Sequence, residues 1–350
     1  MTKPIVWPAD SDSAGAGVDS QDTPVPGGAA AGIFNSAVAA FAIGAAWELG
    51  VLDELREGSV LDSGELAARL DLHPPGVHSM FTALAAVDVV VRSEDKVSKG
   101  PAFDDVYRHK GFVHWFAMGS SELFAAMPTV LRNEHRVGQF YRRNASAIAF
   151  ACRDINQASF DPVFWRAVEG LDFTPQVVAD LGCGSGGRLV QIAERFPGMR
   201  GVGVDISPAA LRDADDYARS KGHGDRLTFV VGDTTALEPS PEFAEVDLLT
   251  SFLMGHDMWP REECVASLRR LREAFPNVRR LLLGDTARTV GIPERRLPVF
   301  TLGFELAHDL MGAYLPTLDE WAGVFAEGGW TCVRVHEVEV PVGSVIFELA

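Results

Sequence analysis

From about residue 175 the chain alternates apolar runs of strand length with helix-length stretches. Gly or Asp closes most of the apolar runs: VVADLG, RGVGVDIS, LTFVVGD, EVDLLTSFLM and RRLLLGD. The runs lack polar alternation, so the strands they form must be buried on both faces. Helices reaching about Phe196, Ser220 and Phe275 separate them, which is the pattern of a parallel sheet covered on each side. The expected fold is α/β, a doubly wound and mostly parallel sheet. Two later runs, WTCVRVHEVE and GSVIFELA, read as a closing antiparallel hairpin.

The first strand-to-helix turn, VVADLGCGSGGRLV, carries Gly182, Gly184 and Gly186. Glycine permits the dihedrals of a tight turn and lets a ligand approach the backbone. Asp205 closes the next run, 205 − 184 = 21 residues on, where an acid accepts hydrogen bonds from ribose hydroxyls. Asp233, in VVGDTT, closes the third run at a place suited to an adenine amine. The cofactor candidates are therefore Asp180, Gly182, Gly184, Gly186, Asp205 and Asp233, with Thr234 beside the last acid and Ser251 in the fourth run. Such an acid-lined crevice suits a cationic ligand better than a pyrophosphate.

A chain of 350 residues exceeds the ~150 typical of one domain, so a second unit is expected. Residues 31–110 read as that unit: an Ala-rich helix up to Gly50, a Ser63-capped turn pattern, a Pro-initiated helix from Pro75 to Val89, and a wing in VRSEDKVSKG. This is winged-helix patterning, with the poorly charged first helix placed at a dimer interface. A DNA-binding regulator is the remote alternative. It is disfavoured by a helix without Lys or Arg and by a net charge of −17, because nucleic-acid binding relies on cations that displace counterions. Residues 111–170 read as a helical linker and pocket wall, residues 171–350 as the catalytic unit, and residues 1–30 as a disordered lead rich in Gly, Pro, Ser and Asp. No secretion signal or membrane-spanning run is legible, so a cytoplasmic protein without membrane partners is expected. Cys152, Cys183, Cys264 and Cys332 stand singly, which argues against a disulfide framework or a thiolate zinc site.

The three ordered acids and the D-L-G-x-G-x-G turn resemble class I methyltransferases that use S-adenosyl-L-methionine (SAM), over residues 177 to about 290. With the N-terminal unit added, the chain is similar to small-molecule O-methyltransferases of secondary metabolism. Their catalytic His-Asp-Trp motif corresponds to GHDMWPREEC, which departs by Met258 inserted between Asp257 and Trp259. His256 and Asp257 then have three readings. They are a structural histidine with a helix-capping acid. They are a general base for a hydroxyl acceptor, needing no metal. Or they are metal ligands joined by His308, which opens a second His-Asp pair 308 − 256 = 52 residues on.

The segments IFNSAVAAFAIGAAWELGVLDELRE, GHD and NVRRLLLGDTARTVGIPERRLPVFTLGFELAHDLMGAYLPTLDEW look like the α-keto acid C-methyltransferases of peptide-antibiotic pathways, from about residue 31 to the end. Phenylpyruvate and 4-methyl-2-oxopentanoate β-methyltransferases are the members meant. The resemblance implies an iron ion, with zinc the alternative, held by His256, Asp257 and His308. It also implies a homodimer, Arg143 as partner of the substrate carboxylate, and Trp115, Ser120, Leu253 and Ala313 as pocket lining. Arg142 and Arg153 are the other candidate anion partners, and Asp309 is a supporting or capping acid. A chelated dication would stabilise the enolate formed when the keto acid loses its β-proton, and the SAM methyl would then need only alignment with that carbon.

Overall fold

The computed structural model describes residues 28–350; the lead read over residues 1–30 lies outside it except for its last three residues, which begin a helix. That helix, Gly28–Glu48, is 21 residues long and apolar enough by length and composition to cross a membrane. This corrects the reading that no run has that property. Its C-terminal half is buried against protein through Ala39, Ala42, Ile43, Ala46 and Trp47, whereas Ile33, Phe34, Val38 and Phe41 are exposed. Gly50, with φ 75°, breaks the chain direction and starts the short helix Val51–Arg56.

The N-terminal unit has its own core, in which Leu52, Leu55, Phe81, Leu84, Val97 and Phe103 are buried together. Its strands are β1 (Leu61–Asp62), β2 (Val90–Ser93) and β3 (Lys96–Lys99), in the order β1-β3-β2, all antiparallel. The wing is thus present, and β1 adds a third strand that two residues of sequence could not announce. Asp62, and not the expected Ser63, which is the first helical residue, caps the following helix, accepting from Gly64 and Glu65 N–H at 2.9 Å each.

The larger sheet comprises β4 (Val177–Leu181), β5 (Arg200–Asp205), β6 (Leu227–Val231), β7 (Leu248–Phe252), β8 (Arg280–Thr286), β9 (Cys332–Glu337) and β10 (Ser344–Leu349). Its order is β6-β5-β4-β7-β8-β10-β9. The five strands β4 to β8 pair parallel, and β10 runs antiparallel to both β8 and β9. All five residues of β4 and all six of β10 are buried, as the continuous apolar runs require. One face packs on the linker helices around Phe160, Phe164 and Ile155, the other on the helices carrying Leu268, Trp321 and Phe325. Because β5 and β7 lie on opposite sides of β4, strand order reverses there, and the crevice beyond the ends of β4 and β7 is where such a sheet takes a ligand.

Candidate active site

A cavity of about 970 Å³ opens at that reversal. Gly182, Gly184, Asp180, Asp205, Asp233, Thr234, Leu253 and Asp257 all line it. Gly182 has φ 70°, which strains any residue with a side chain, and a Cβ there would also displace the Met254 thioether, 1.9 Å away, so the turn favours glycine. Asp205 accepts from Gly184 N–H at 2.9 Å and from Ser207 N–H at 2.8 Å, which ties the glycine turn to the end of β5. Asp233 accepts from the Thr235 hydroxyl and N–H, and those bonds hold its carboxyl below the usual range. Asp180 is 4% exposed; burial pushes its carboxyl up to about 6, against the pull of nearby Arg188 and of the Thr250 hydroxyl that donates to it at 2.6 Å.

Two of the cofactor candidates stand outside this lining. Gly186, φ 73°, caps the helix Gly187–Arg195, and a Cβ on it would meet Ala214 and Phe229 at 3.0 Å, so it is packed closely against the neighbouring helix and strand. Ser251 is fully buried in β7, with its hydroxyl unpartnered. Arg188, which no motif flagged, lies in the cavity wall. It donates to Asp161 and Asn156 at 3.1 Å each and lies 3.7 Å over the Phe252 ring.

His256 sits in a one-turn 3₁₀ helix, Gly255–Met258, just past β7. Its Nδ1–H donates to Asp285 at 2.8 Å and its backbone N–H donates to the other oxygen of the same carboxylate at 2.6 Å. A Cβ at position 255 would lie 2.8 Å from that oxygen, which explains the glycine before the histidine. Burial opposes the imidazolium of His256, but the charge and hydrogen bond of Asp285 outweigh it and raise the pKa overall. His308, on the helix Thr301–Met311, donates through Nδ1–H to the Phe304 carbonyl at 2.7 Å. Burial and the neighbouring His256 lower its pKa to about 3, so it stays neutral. The two rings lie 4.9 Å apart at 88°. With both Nδ1 atoms committed, each Nε2 is left as a lone-pair acceptor.

Trp115 lies parallel to the His308 ring at 6.5 Å, and Arg143 lies 5.8 Å over Trp115. Arg143 is half-buried and forms no ion pair among the described residues, yet its charge acts on His256, Asp257 and His308 alike. Arg153 instead lines the cofactor cavity, and Arg142 is exposed. Ser120 is buried with its hydroxyl unpartnered; Ala313 follows the His308 helix, donating its N–H to the His308 carbonyl at 2.9 Å. A second hollow of about 370 Å³, walled by Phe112, Trp115, Phe116, Phe124, Phe300 and Leu306, adjoins this group through Trp115.

The structure brings His256 and His308 together but does not complete the expected triad. Among the described residues no group of three or more His, Cys, Asp and Glu side chains is gathered to hold a metal ion. Asp257 lines the cofactor cavity, and the acid bound to His256 is Asp285. The two imidazoles lie close together, and no third donor is gathered with them among the described residues. Asp309 pairs with Arg288 at 2.5 Å, on the surface. Asp285 was legible only as the end of RRLLLGD: nothing local says that it faces a histidine 29 residues earlier.

Comparison with known proteins agrees with this geometry at the level of the family. Residues 178–275 match a methyltransferase domain and residues 32–118 an O-methyltransferase dimerisation domain. The chain is 50% identical over 325 residues to Methyltransferase ungE' of Aspergillus campestris, spanning 91% of this chain and 95% of that protein. It is 32% identical over 167 residues to the Indolepyruvate C-methyltransferase of Streptomyces griseus, spanning 47% of this chain and 49% of that protein. Among solved structures, PigF with SAH has a TM-score of 0.66 at 20% identity, covering 95% of this chain and 99% of that one. Mitomycin 7-O-methyltransferase MmcR has a TM-score of 0.61 at 20% identity, covering 91% and 96%. The chain belongs to the class I SAM-dependent methyltransferases that carry an O-methyltransferase dimerisation domain.

Proposed function

We propose that the protein methylates the β-carbon of an α-keto acid with an apolar side chain, of the phenylpyruvate or 4-methyl-2-oxopentanoate kind. The observation that carries this reading is a guanidinium with no acid partner among the described residues, Arg143, beside two imidazoles that both present a free Nε2. A keto acid offers a carboxylate to Arg143 and a keto oxygen and an acidic C–H to the histidines. The aromatic hollow beside Trp115 is of a size for its side chain. The name of the Streptomyces griseus relative supports the same chemistry.

In this reading Asp285 orients His256 and stabilises its protonated form, so that Nε2 takes the β-proton as the enolate forms. Arg143 holds the carboxylate and its charge favours the enolate. SAM lies in the neighbouring cavity, where Asp205 would accept from the ribose and Asp180, Asp233 and Asp257 favour the sulfonium. Iron or zinc, if bound, would supply Lewis-acid stabilisation at His256 and His308. Among the described residues two nitrogen donors are present there and no third ligand is assembled with them. The His256–Asp285 pair also favours a second reading, deprotonation of a hydroxyl for O-methylation.

The test combines three measurements: mass spectrometry of products from keto acids and phenols, metal analysis, and the pH dependence of kcat/KM. The expected product is a β-methyl keto acid. A base must be neutral to act, and the His256 pKa is raised, so kcat/KM should climb with pH through a limb above the ordinary imidazole value of ~6.5. Methylated phenols with no keto-acid product would overturn the first reading. Stoichiometric metal, chelator sensitivity and loss of both metal and turnover in His308→Ala would restore the three-ligand centre.

We infer further that the protein is a homodimer. The matched dimerisation domain and the exposed Ile33, Phe34, Val38 and Phe41 on the first helix support it. Phe34→Asp with Phe41→Asp should sediment as a monomer; an unchanged sedimentation coefficient would place the contact elsewhere.

A further inference from the structure

The helix Thr301–Met311 brings His308 to His256, and its N-terminus is held by the packing of Phe300 on Phe112, Trp115 and Phe304 and not by a polar cap. Its N-cap, Phe300, has φ 77° and ψ −42° and supplies no side-chain hydrogen bond. The preceding stretch from Val290 holds only a single 3₁₀ turn, Glu294–Arg296. Thr301, Phe304, Ala307, Leu310 and Met311 bury the apolar side of the helix, so the core fixes its place, but a small turn about its axis would still swing His308 off its partner.

The structure shows what opposes that rotation. Glu305 accepts from the Thr289 N–H at 2.8 Å and from the Thr289 hydroxyl at 2.7 Å. Asp309, one turn further along the same face, accepts from both Arg288 terminal nitrogens at 2.5 and 3.4 Å, and Arg288 also lies 3.7 Å from Glu305. Arg288 and Thr289 follow β8 at once, three and four residues after Asp285, which holds His256. One short segment therefore grips the two imidazoles independently: Asp285 fixes the first directly, and Thr289 fixes the second through its helix. The Glu305 bonds are the better sheltered part of the clamp, with 19% of that side chain exposed against 56% for Asp309.

We propose that Glu305 is a positioning residue that sets the register of His308 against His256 for methyl transfer. The inference rests on the proposed role of the imidazole pair, for either acceptor. Its contact is acceptance of two hydrogen bonds, which a glutamine carbonyl can replace and alanine cannot.

The test compares Glu305→Ala and Glu305→Gln with the wild-type enzyme, using whichever acceptor the wild type methylates, together with hydrogen exchange read by mass spectrometry. In Glu305→Ala, kcat should fall by about tenfold or more, part of the ~100-fold that a full 1 Å displacement can cost. SAM affinity should be unchanged, and exchange should rise over residues 301–311 but not in β4 to β8. Glu305→Gln should recover most of both losses. Wild-type kcat in Glu305→Ala, a glutamine variant no better than alanine, or exchange rising throughout the sheet would each overturn the proposal. The exchange arm needs no acceptor, so rejection of the keto-acid reading leaves it standing.

Discussion

Alanine at position 256 should reduce kcat by about 1,000-fold, within the 10²–10⁴ range of a positioned acid–base group, while SAM affinity measured by calorimetry stays unchanged. Retention follows from the layout: the cofactor cavity is lined by Asp180, Asp205 and Asp233 and not by the imidazole. Asp285→Asn should show the same defect in weaker form, for a geometric reason. The carboxylate accepts from three donors, the His256 Nδ1–H and N–H and the Thr286 N–H. An amide has one acceptor atom, so its NH₂ must face one of these donors, leaving a buried clash that costs about 1–3 kcal/mol. Thermal denaturation of Asp285→Asn should register that loss alongside the kinetic one. If His256→Ala keeps wild-type kcat, the histidine is structural and both acid–base readings are lost.

The second large effect concerns recognition of the anion. Arg143→Met should raise KM for a keto acid by roughly 10- to 100-fold, the equivalent of a lost charged hydrogen bond of about 1.5–3 kcal/mol. It should leave KM for the corresponding methyl ester nearly unaltered. Arg143→Lys should recover only part of the affinity, since an ammonium lacks the planar fork that pairs with both carboxylate oxygens. The comparison of acid with ester isolates the charge from the packing of Arg143 over Trp115. Equal changes for acid and ester would mean that the arginine serves packing alone, and the keto-acid reading would lose its main support.

Much of the catalytic unit could be read from local pattern. The runs that became β4, β5, β7 and β8 are apolar on both faces because each has a neighbouring strand and a helical layer on either side, whereas β6, at the sheet edge, leaves Thr228 and Val231 exposed, contrary to the expectation from its apolar run. The glycines of the first turn follow from positive φ at Gly182, Gly184 and Gly186, a purely local demand. Asp205 and Asp233 are strand-terminal acids, and a crevice at the strand reversal follows from topology. Less was legible where function depends on pairs. Gly186 and Ser251 belong to the same motifs as their neighbours, but neither lines the cavity: one packs against Ala214 and Phe229 and the other is buried within its strand.

What the sequence determined alone is the layer architecture, the cofactor turn and the presence of a histidine beyond the fourth parallel strand, because periodicity and backbone dihedrals are properties of adjacent residues. The tertiary structure decided which acid serves that histidine. Asp257, its neighbour in the chain, turns to the cofactor cavity, and Asp285 reaches it from β8, since adjacent parallel strands place their ends side by side whatever their separation in sequence. The same holds for His308, whose helix returns over the site because Phe304, Ala307, Leu310 and Met311 pack into the core while Arg288 and Thr289 bind its polar side.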